Sequence, residues 1–237
     1  MIGDAFSYLF DSANWTGSDG MLVELGEQLL LTVTALLITA LIALPVALVL
    51  GHLGRGGFLA INISNVGRAV PTFAVLILLS VGPLGTAVLG PYGRAGLATL
   101  VALTLFALPP IITNGYVGMR EIDRATVEAA KGMGMSGPQL FFSVELPLAT
   151  PLILTGLRLA LVQVWATATI AALVAGPGLG NVITAGFYRN DYGKGLAGAL
   201  VVAAIALILE GLAALAERYA DPLARVQRRQ RAFVAVA

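Results

Sequence analysis

The run LGEQLLLTVTALLITALIALPVALVL, Leu25–Leu50, is long and apolar enough to cross a bilayer as a single helix. A span needs roughly 20 mostly apolar residues, because a helix rises about 1.5 Å per residue through a hydrocarbon layer about 30 Å thick. Thr32, Thr34 and Pro45 interrupt its character. In lipid every backbone N–H and C=O must be paired inside the protein, so an isolated run of this kind reads as helix.

Four further runs repeat the pattern, over residues 59–81, 95–117, 147–175 and 196–215. The whole chain is 58% hydrophobic and only 11% charged, where a soluble domain carries about 25% charged residues. So few charges do not cover a water-facing surface. The fold class expected is all-α integral membrane with about five transmembrane helices per subunit. Residues 1–24 form an external or interfacial N-terminal segment. Residues 25–217 form the transmembrane domain, which includes the polar stretch 120–147, and residues 218–237 form a basic tail.

Lys and Arg placement sets orientation, since short cytoplasmic loops are enriched in both. With the N-terminus outside, the inner loops hold His52 and Arg55, then Arg120, Arg124 and Lys131, then Arg218 and the Arg225–Arg231 tail. The outer loops keep Arg94, Arg189 and Lys194. This predicts N-out, C-in, with residues 176–195 as a possible re-entrant hairpin. Met1–Gly20 lacks the positive n-region of a secretory signal and carries Asp4, Asp11 and Asp19. Ile2, Phe6, Leu9, Phe10 and Trp15 suit a short amphipathic segment at the membrane interface.

Several chemistries find no residues to carry them. Net charge is +1, which provides no basic field for nucleic acid. Cysteine is absent, and His52, the lone histidine, is read as a loop residue with no second metal ligand nearby, so no metal site is expected. No base–nucleophile pair suggests catalysis. A Gly-x-x-x-x-Gly-Lys-Ser/Thr loop is missing, and Gly176-Pro177-Gly178-Leu179-Gly180 has no strand before it, so no nucleotide cofactor is expected on this chain. Pro45, Pro71, Pro109, Pro110 and Pro151 lie within the spans. Each removes a backbone donor and frees a carbonyl that must find another partner.

The polar stretch between the third and fourth spans reads Glu128-Ala129-Ala130-Lys131-Gly132-Met133-Gly134, and nine residues later Val144-Glu145-Leu146-Pro147. Asp123 or Thr126 is placed to cap a short helix on which Ala125, Ala129 and Ala130 present a small-residue face. Gly134 permits a sharp turn before a second short helix near Ser136-Gly137-Pro138, and Pro147 begins the fourth span. This segment resembles the EAA loop of bacterial ABC importer permeases (EAA, three residues, Gly, nine residues, Ile, any residue, Leu-Pro), with Val144 in place of Ile. The resemblance implies a type I permease of the methionine-permease kind. It also implies that Glu128, Ala129, Ala130, Gly134, Leu146 and Pro147 couple it to a separate cytoplasmic ATPase that binds the ATP and Mg.

Asn65-Val66-Gly67-Arg68-Ala69-Val70-Pro71-Thr72, Leu108-Pro109-Pro110 through Asn114, Gly156-Leu157-Arg158 and Ala166-Thr167-Ala168-Thr169 are similar to segments of osmoprotectant permeases, which serve glycine betaine, choline or carnitine. That likeness implies a bacterial cell-membrane importer. Its expected partners are ATPase subunits, a second identical or paralogous permease, an extracytoplasmic binding protein and membrane lipid. Membrane-embedded polar groups usually face a bundle interior, which makes Arg68, Thr72, Asn114, Arg158, Gln163 and Thr167 the candidates for the translocation pathway. Glu210 is expected to pair with an arginine. Two other readings stand beside this one: a permease for methionine or another amino acid, and a secondary carrier or channel. The absence of a clear internal repeat weighs against a carrier.

Overall fold

The computed structural model describes residues 1–88, 90–93 and 95–220, except for the side chains of Leu59, Ile61, Ile63, Ser64, Val66, Arg68 and Pro91. Arg94, the Arg68 side chain and the Arg225–Arg231 tail therefore lie outside the described residues. Every regular element among the described residues is helical. The α-helices are α1 (Ile2–Phe10), α2 (Met21–His52), α3 (Gly57–Ala69), α4 (Thr72–Val81), α5 (Pro83–Thr86) and α6 (Gly96–Arg120). They continue with α7 (Arg124–Gly132), α8 (Gly137–Leu140), α9 (Leu146–Ile170), α10 (Gly180–Tyr188) and α11 (Tyr192–Ala220).

Among the described residues, four helical runs are long and apolar enough to cross a membrane: Met21–His52, Gly96–Arg120, Gly137–Val174 and Tyr192–Ala220. The expected second span, residues 59–81, is not one continuous helix. It divides into α3 and α4 at Val70-Pro71, with Pro71 extended at ψ 114° as the N-cap of α4. Proline has no N–H to continue the ladder and disfavours helical geometry in the residue before it. At about 1.5 Å per residue neither piece alone crosses a hydrocarbon core. Pro45, Pro109, Pro110 and Pro151 by contrast stay inside their helices.

The chain forms two compact units. The first comprises Met1–Ile38, Arg68–Ala107 and Leu161–Glu210. Its core joins Met21, Trp165, Leu179 and Val182, with Tyr8, Leu9, Trp15 and Val202 packed against them. The N-terminal segment is thus a docked helix. Trp15 Nε1 donates to the Leu9 carbonyl at 2.7 Å and Asn14 Nδ2 to that of Tyr8 at 3.0 Å. Ile2, Phe6 and Phe10 are left exposed on its outer face, as an interfacial helix requires. A second cluster holds Leu76, Ala102, Phe106 and Ala171. Within residues 176–195 lies α10, whose Gly186 sits against the backbone of Gly195 in α11 with no room for a side chain. Its nine residues are too few to cross.

The second unit comprises Thr39–Gly67, Leu108–Ala160 and the described residues from Gly211 onward. Met119, Ala149 and Ile153 form its core, covered by Leu44, Leu48, Phe141, Leu146 and Leu157. Small residues allow the helix backbones to approach closely here, as in membrane helix packing generally. A Cβ on Gly51 would fall 2.5 Å from that of Met119, and one on Gly118 3.1 Å from the Ala149 carbonyl oxygen.

Candidate coupling segment and transport residues

The second unit contains the polar segment as two short helices about a glycine turn. Asp123 caps α7 by accepting the Ala125 N–H at 3.2 Å, which satisfies one of the four donors a helix start leaves unpaired. The far end closes when Met135 N–H reaches back to the Ala130 carbonyl at 3.2 Å and Gly134 N–H to that of Lys131 at 2.9 Å. Gly134 sits at φ +84°, a left-handed conformation that a side chain disfavours. Ser136 then opens α8, its N–H and hydroxyl both donating to Gln139 Oε1 at 2.9 and 3.1 Å.

Pro147 does not begin the next span. The helix entered at Gly137 runs through a π-helical turn, Phe141–Glu145, directly into α9. α8 and α9 therefore share one continuous backbone. Glu128, Ala129, Lys131, Gly132 and Gly134 are exposed, as is the apolar side chain of Met133. Leu146 and Pro147 are half-buried. Ala130 departs from the expected small-residue face: it is 3% exposed and turned into the chain. Ala125 and Ala129, one turn apart, form the outward small face. A narrow, exposed, small-residue helix tip suits insertion into a groove on another protein.

His52 is the last residue of α2 and not a loop residue. Its Nδ1 contacts Glu145 Oε2, and the Phe141 ring stands edge-on to it at 5.4 Å. His52 and Glu145 border a polar cavity of about 230 Å³, with Arg120, Arg124, Glu128 and Lys131 on its wall. Neither His52 nor Glu145 carries a signal in its own neighbourhood, since 93 residues separate them.

Of the six transport candidates, the structure explains several by local bonding. Asn114 Nδ2 donates to the Pro110 carbonyl at 2.8 Å, and a Cβ on Gly156 would fall 2.8 Å from the Asn114 Cβ. Gln163 Nε2 donates to the Phe106 carbonyl at 3.1 Å, the acceptor left free because Pro110 lacks an N–H. Arg158 pairs with Glu217 at 3.0 Å, and Thr155 donates to the same carboxylate at 2.7 Å. Thr167 is 6% exposed in α9. Thr72 is half-buried at the start of α4. Asn114 and Arg158 belong to the second unit, Thr72, Gln163 and Thr167 to the first, so the six do not form one cluster within either unit.

The first unit holds a polar web that sequence reading missed. Gln28 is fully buried. Its Nε2 donates to the Trp165 carbonyl at 3.2 Å and to Thr169 Oγ1 at 3.0 Å, while Oε1 accepts the Leu179 N–H at 2.9 Å. Glu24, one turn earlier, accepts the Gly178 N–H at 3.2 Å and Asn181 Nδ2 at 3.1 Å. The two side chains bind the start of α2 to the turn before α10. The spacing of Glu24 and Gln28 on one helix face was the available signal.

Known proteins resemble this chain over most of its length. The glycine betaine/carnitine/choline transport system permease protein of Bacillus subtilis is 30% identical over 87% of this chain and 91% of its own. The osmoprotectant import permease protein of Salmonella typhimurium is 34% identical, over 85% and 83%. Among solved structures, a chain of the MetNI methionine ABC transporter in an inward-facing conformation superposes with a TM-score of 0.69. It is 20% identical and is matched over 86% of this chain and 99% of that one, and it shares the fold. The model of the binding-protein-dependent transport system inner membrane component matches residues 41–221. With that match, the exposed two-helix segment Arg124–Leu140 and the all-helical membrane fold, the chain belongs to the family of inner-membrane permease components of binding-protein-dependent ABC importers.

Proposed function

We propose that this permease admits small osmoprotectants of the betaine, choline and carnitine class. The observation that carries this reading is similarity at 30% identity or more, over at least four fifths of the chain, to permeases named for those solutes. An ATPase subunit docks on the exposed tip Glu128–Gly134 of each permease subunit, a second permease subunit completes the pathway, and an external binding protein delivers the solute. The chain's own part is mechanical. ATP-driven closure of the ATPases moves α7 and α8, and the unbroken helix from Gly137 to Val174 carries that motion into the membrane. The family description supports the binding-protein arm, and the position of α7 and α8 supports the ATPase arm.

Uptake of labelled glycine betaine, choline, carnitine and methionine at high osmolarity, in cells with and without the gene, tests the assignment. Loss of betaine-class uptake on deletion, restored by the wild-type chain and not by Gly134→Pro, is the expected result. Loss of methionine uptake alone would transfer the assignment to an amino acid.

A further inference from the structure

We infer that His52 and Glu145 are a positioning pair that ties the inner end of α2 to the coupling segment, so that ATPase motion is delivered to α2 as well as to α9. The inference rests on the family's ATP-driven mechanism and does not depend on which solute is carried.

Glu145 is 6% exposed. A buried carboxylate is costly unless a donor meets it, and among the described residues its hydrogen-bond partner is His52. His52 is the final residue of α2, directly before the turn at Gly54, which takes φ +66°. Glu145 is the final residue of the π-helical turn that joins α8 to α9. The contact therefore links the two places where a long helix meets the coupling machinery. Phe141, from the same turn, packs its ring edge on the imidazole and limits rotation of His52 about the contact. Further along α2, Gly51 lies against Met119 of α6, so a pull on His52 acts on a backbone already fitted closely to its neighbour.

Other groups around the pair do not duplicate it. Arg120, Arg124, Glu128 and Lys131 line the adjacent cavity, yet they are exposed and none has a described ion pair with Glu145. The position also differs from the matched motif residues, since Glu145 occupies the place where that pattern accepts any residue. Its value comes from its partner on α2.

The test uses the complete importer in lipid nanodiscs. The chain has no cysteine, so spin labels at Leu53→Cys and Ser143→Cys, both exposed positions, report the separation across the pair without background. In the wild-type background that separation should be the same in the nucleotide-free and vanadate-trapped states, because the two sides move together. In His52→Ala it should differ between the states. In proteoliposomes His52→Ala should also lower solute transported per ATP hydrolysed by roughly tenfold, the change expected when one hydrogen bond to a charged group is lost. His52→Gln, which keeps a side-chain donor, should recover most of it. If His52→Ala fails to assemble with the ATPase, Glu145→Gln is read in the same way. A wild-type separation that changes on trapping overturns the inference, as does a variant with wild-type separation and transport ratio. Failure of betaine-class uptake in wild type would instead bear on the substrate assignment, because the label measurement needs no solute.

Discussion

Replacing Gln28 by leucine tests whether the buried polar web holds the first unit together. Leucine has nearly the volume of glutamine, so the change removes hydrogen bonds and leaves the packing largely in place. Three bonds are lost: to the Trp165 carbonyl, to Thr169 Oγ1 and from the Leu179 N–H. Side-chain hydrogen bonds between membrane helices contribute about 0.6 kcal/mol each on average, which gives about 2 kcal/mol for three. Trp165 O and Thr169 Oγ1 retain each other, whereas the Leu179 N–H is left buried with no acceptor, a further cost of about 1–3 kcal/mol. Removing the amide from an apolar interior offsets about 1 kcal/mol. The orphaned amide is the largest single term, and the net loss is about 2–4 kcal/mol, or roughly 30- to 900-fold in the folding equilibrium. Unfolding of the purified chain in mixed SDS–detergent micelles measures it. A loss under about 0.5 kcal/mol would refute the reasoning, since that is within the range of an ordinary surface substitution.

Four other expectations follow from named positions. Gly134→Ala meets no atom within 4 Å, so its cost is the left-handed backbone alone, about 1–2 kcal/mol. ATP-driven uptake should fall while membrane insertion is unchanged, and Gly132→Ala, equally open and at negative φ, should leave uptake at the wild-type level. Gly180→Ala would place a methyl against the Thr169 carbonyl and 2.7 Å from the Ala172 Cβ, a loss of about 1–3 kcal/mol from overpacking. Gly211→Ala, with open space inside α11, should raise the Tm through a gain of up to about 1 kcal/mol. A double-mutant cycle of Arg158→Gln with Glu217→Gln should give a coupling of about 1 kcal/mol, and strict additivity would show that the 3.0 Å contact does not contribute.

Residue type and spacing alone settled the membrane setting, the helical element type and the local form of the two-helix segment 124–140. Apolar runs of this length have one stable backbone solution in lipid. The motif between residues 128 and 147 is local, so a cap at Asp123 or Thr126, Gly134 as turn and a next helix start near Ser136 were legible from residue type and spacing, and the structure places the cap at Asp123. Pro71 was legible as an interruption, but whether a proline bends a helix or divides it depends on what supports the freed groups. Pro110 remains inside α6, where Gln163 accepts the burden of the Phe106 carbonyl, while Pro71 separates two helices.

Only the tertiary structure decided which polar side chains meet. Gln28 lies 137 residues from Trp165 and 151 from Leu179, and His52 lies 93 from Glu145. Arg158 was legible as a charge within a span, but its partner Glu217, 59 residues on, was not. Helical periodicity reports which face of a helix is apolar and has no information on what that face will touch. A buried polar residue therefore announces from sequence that it needs a partner, and the packing of distant helices determines which one it has.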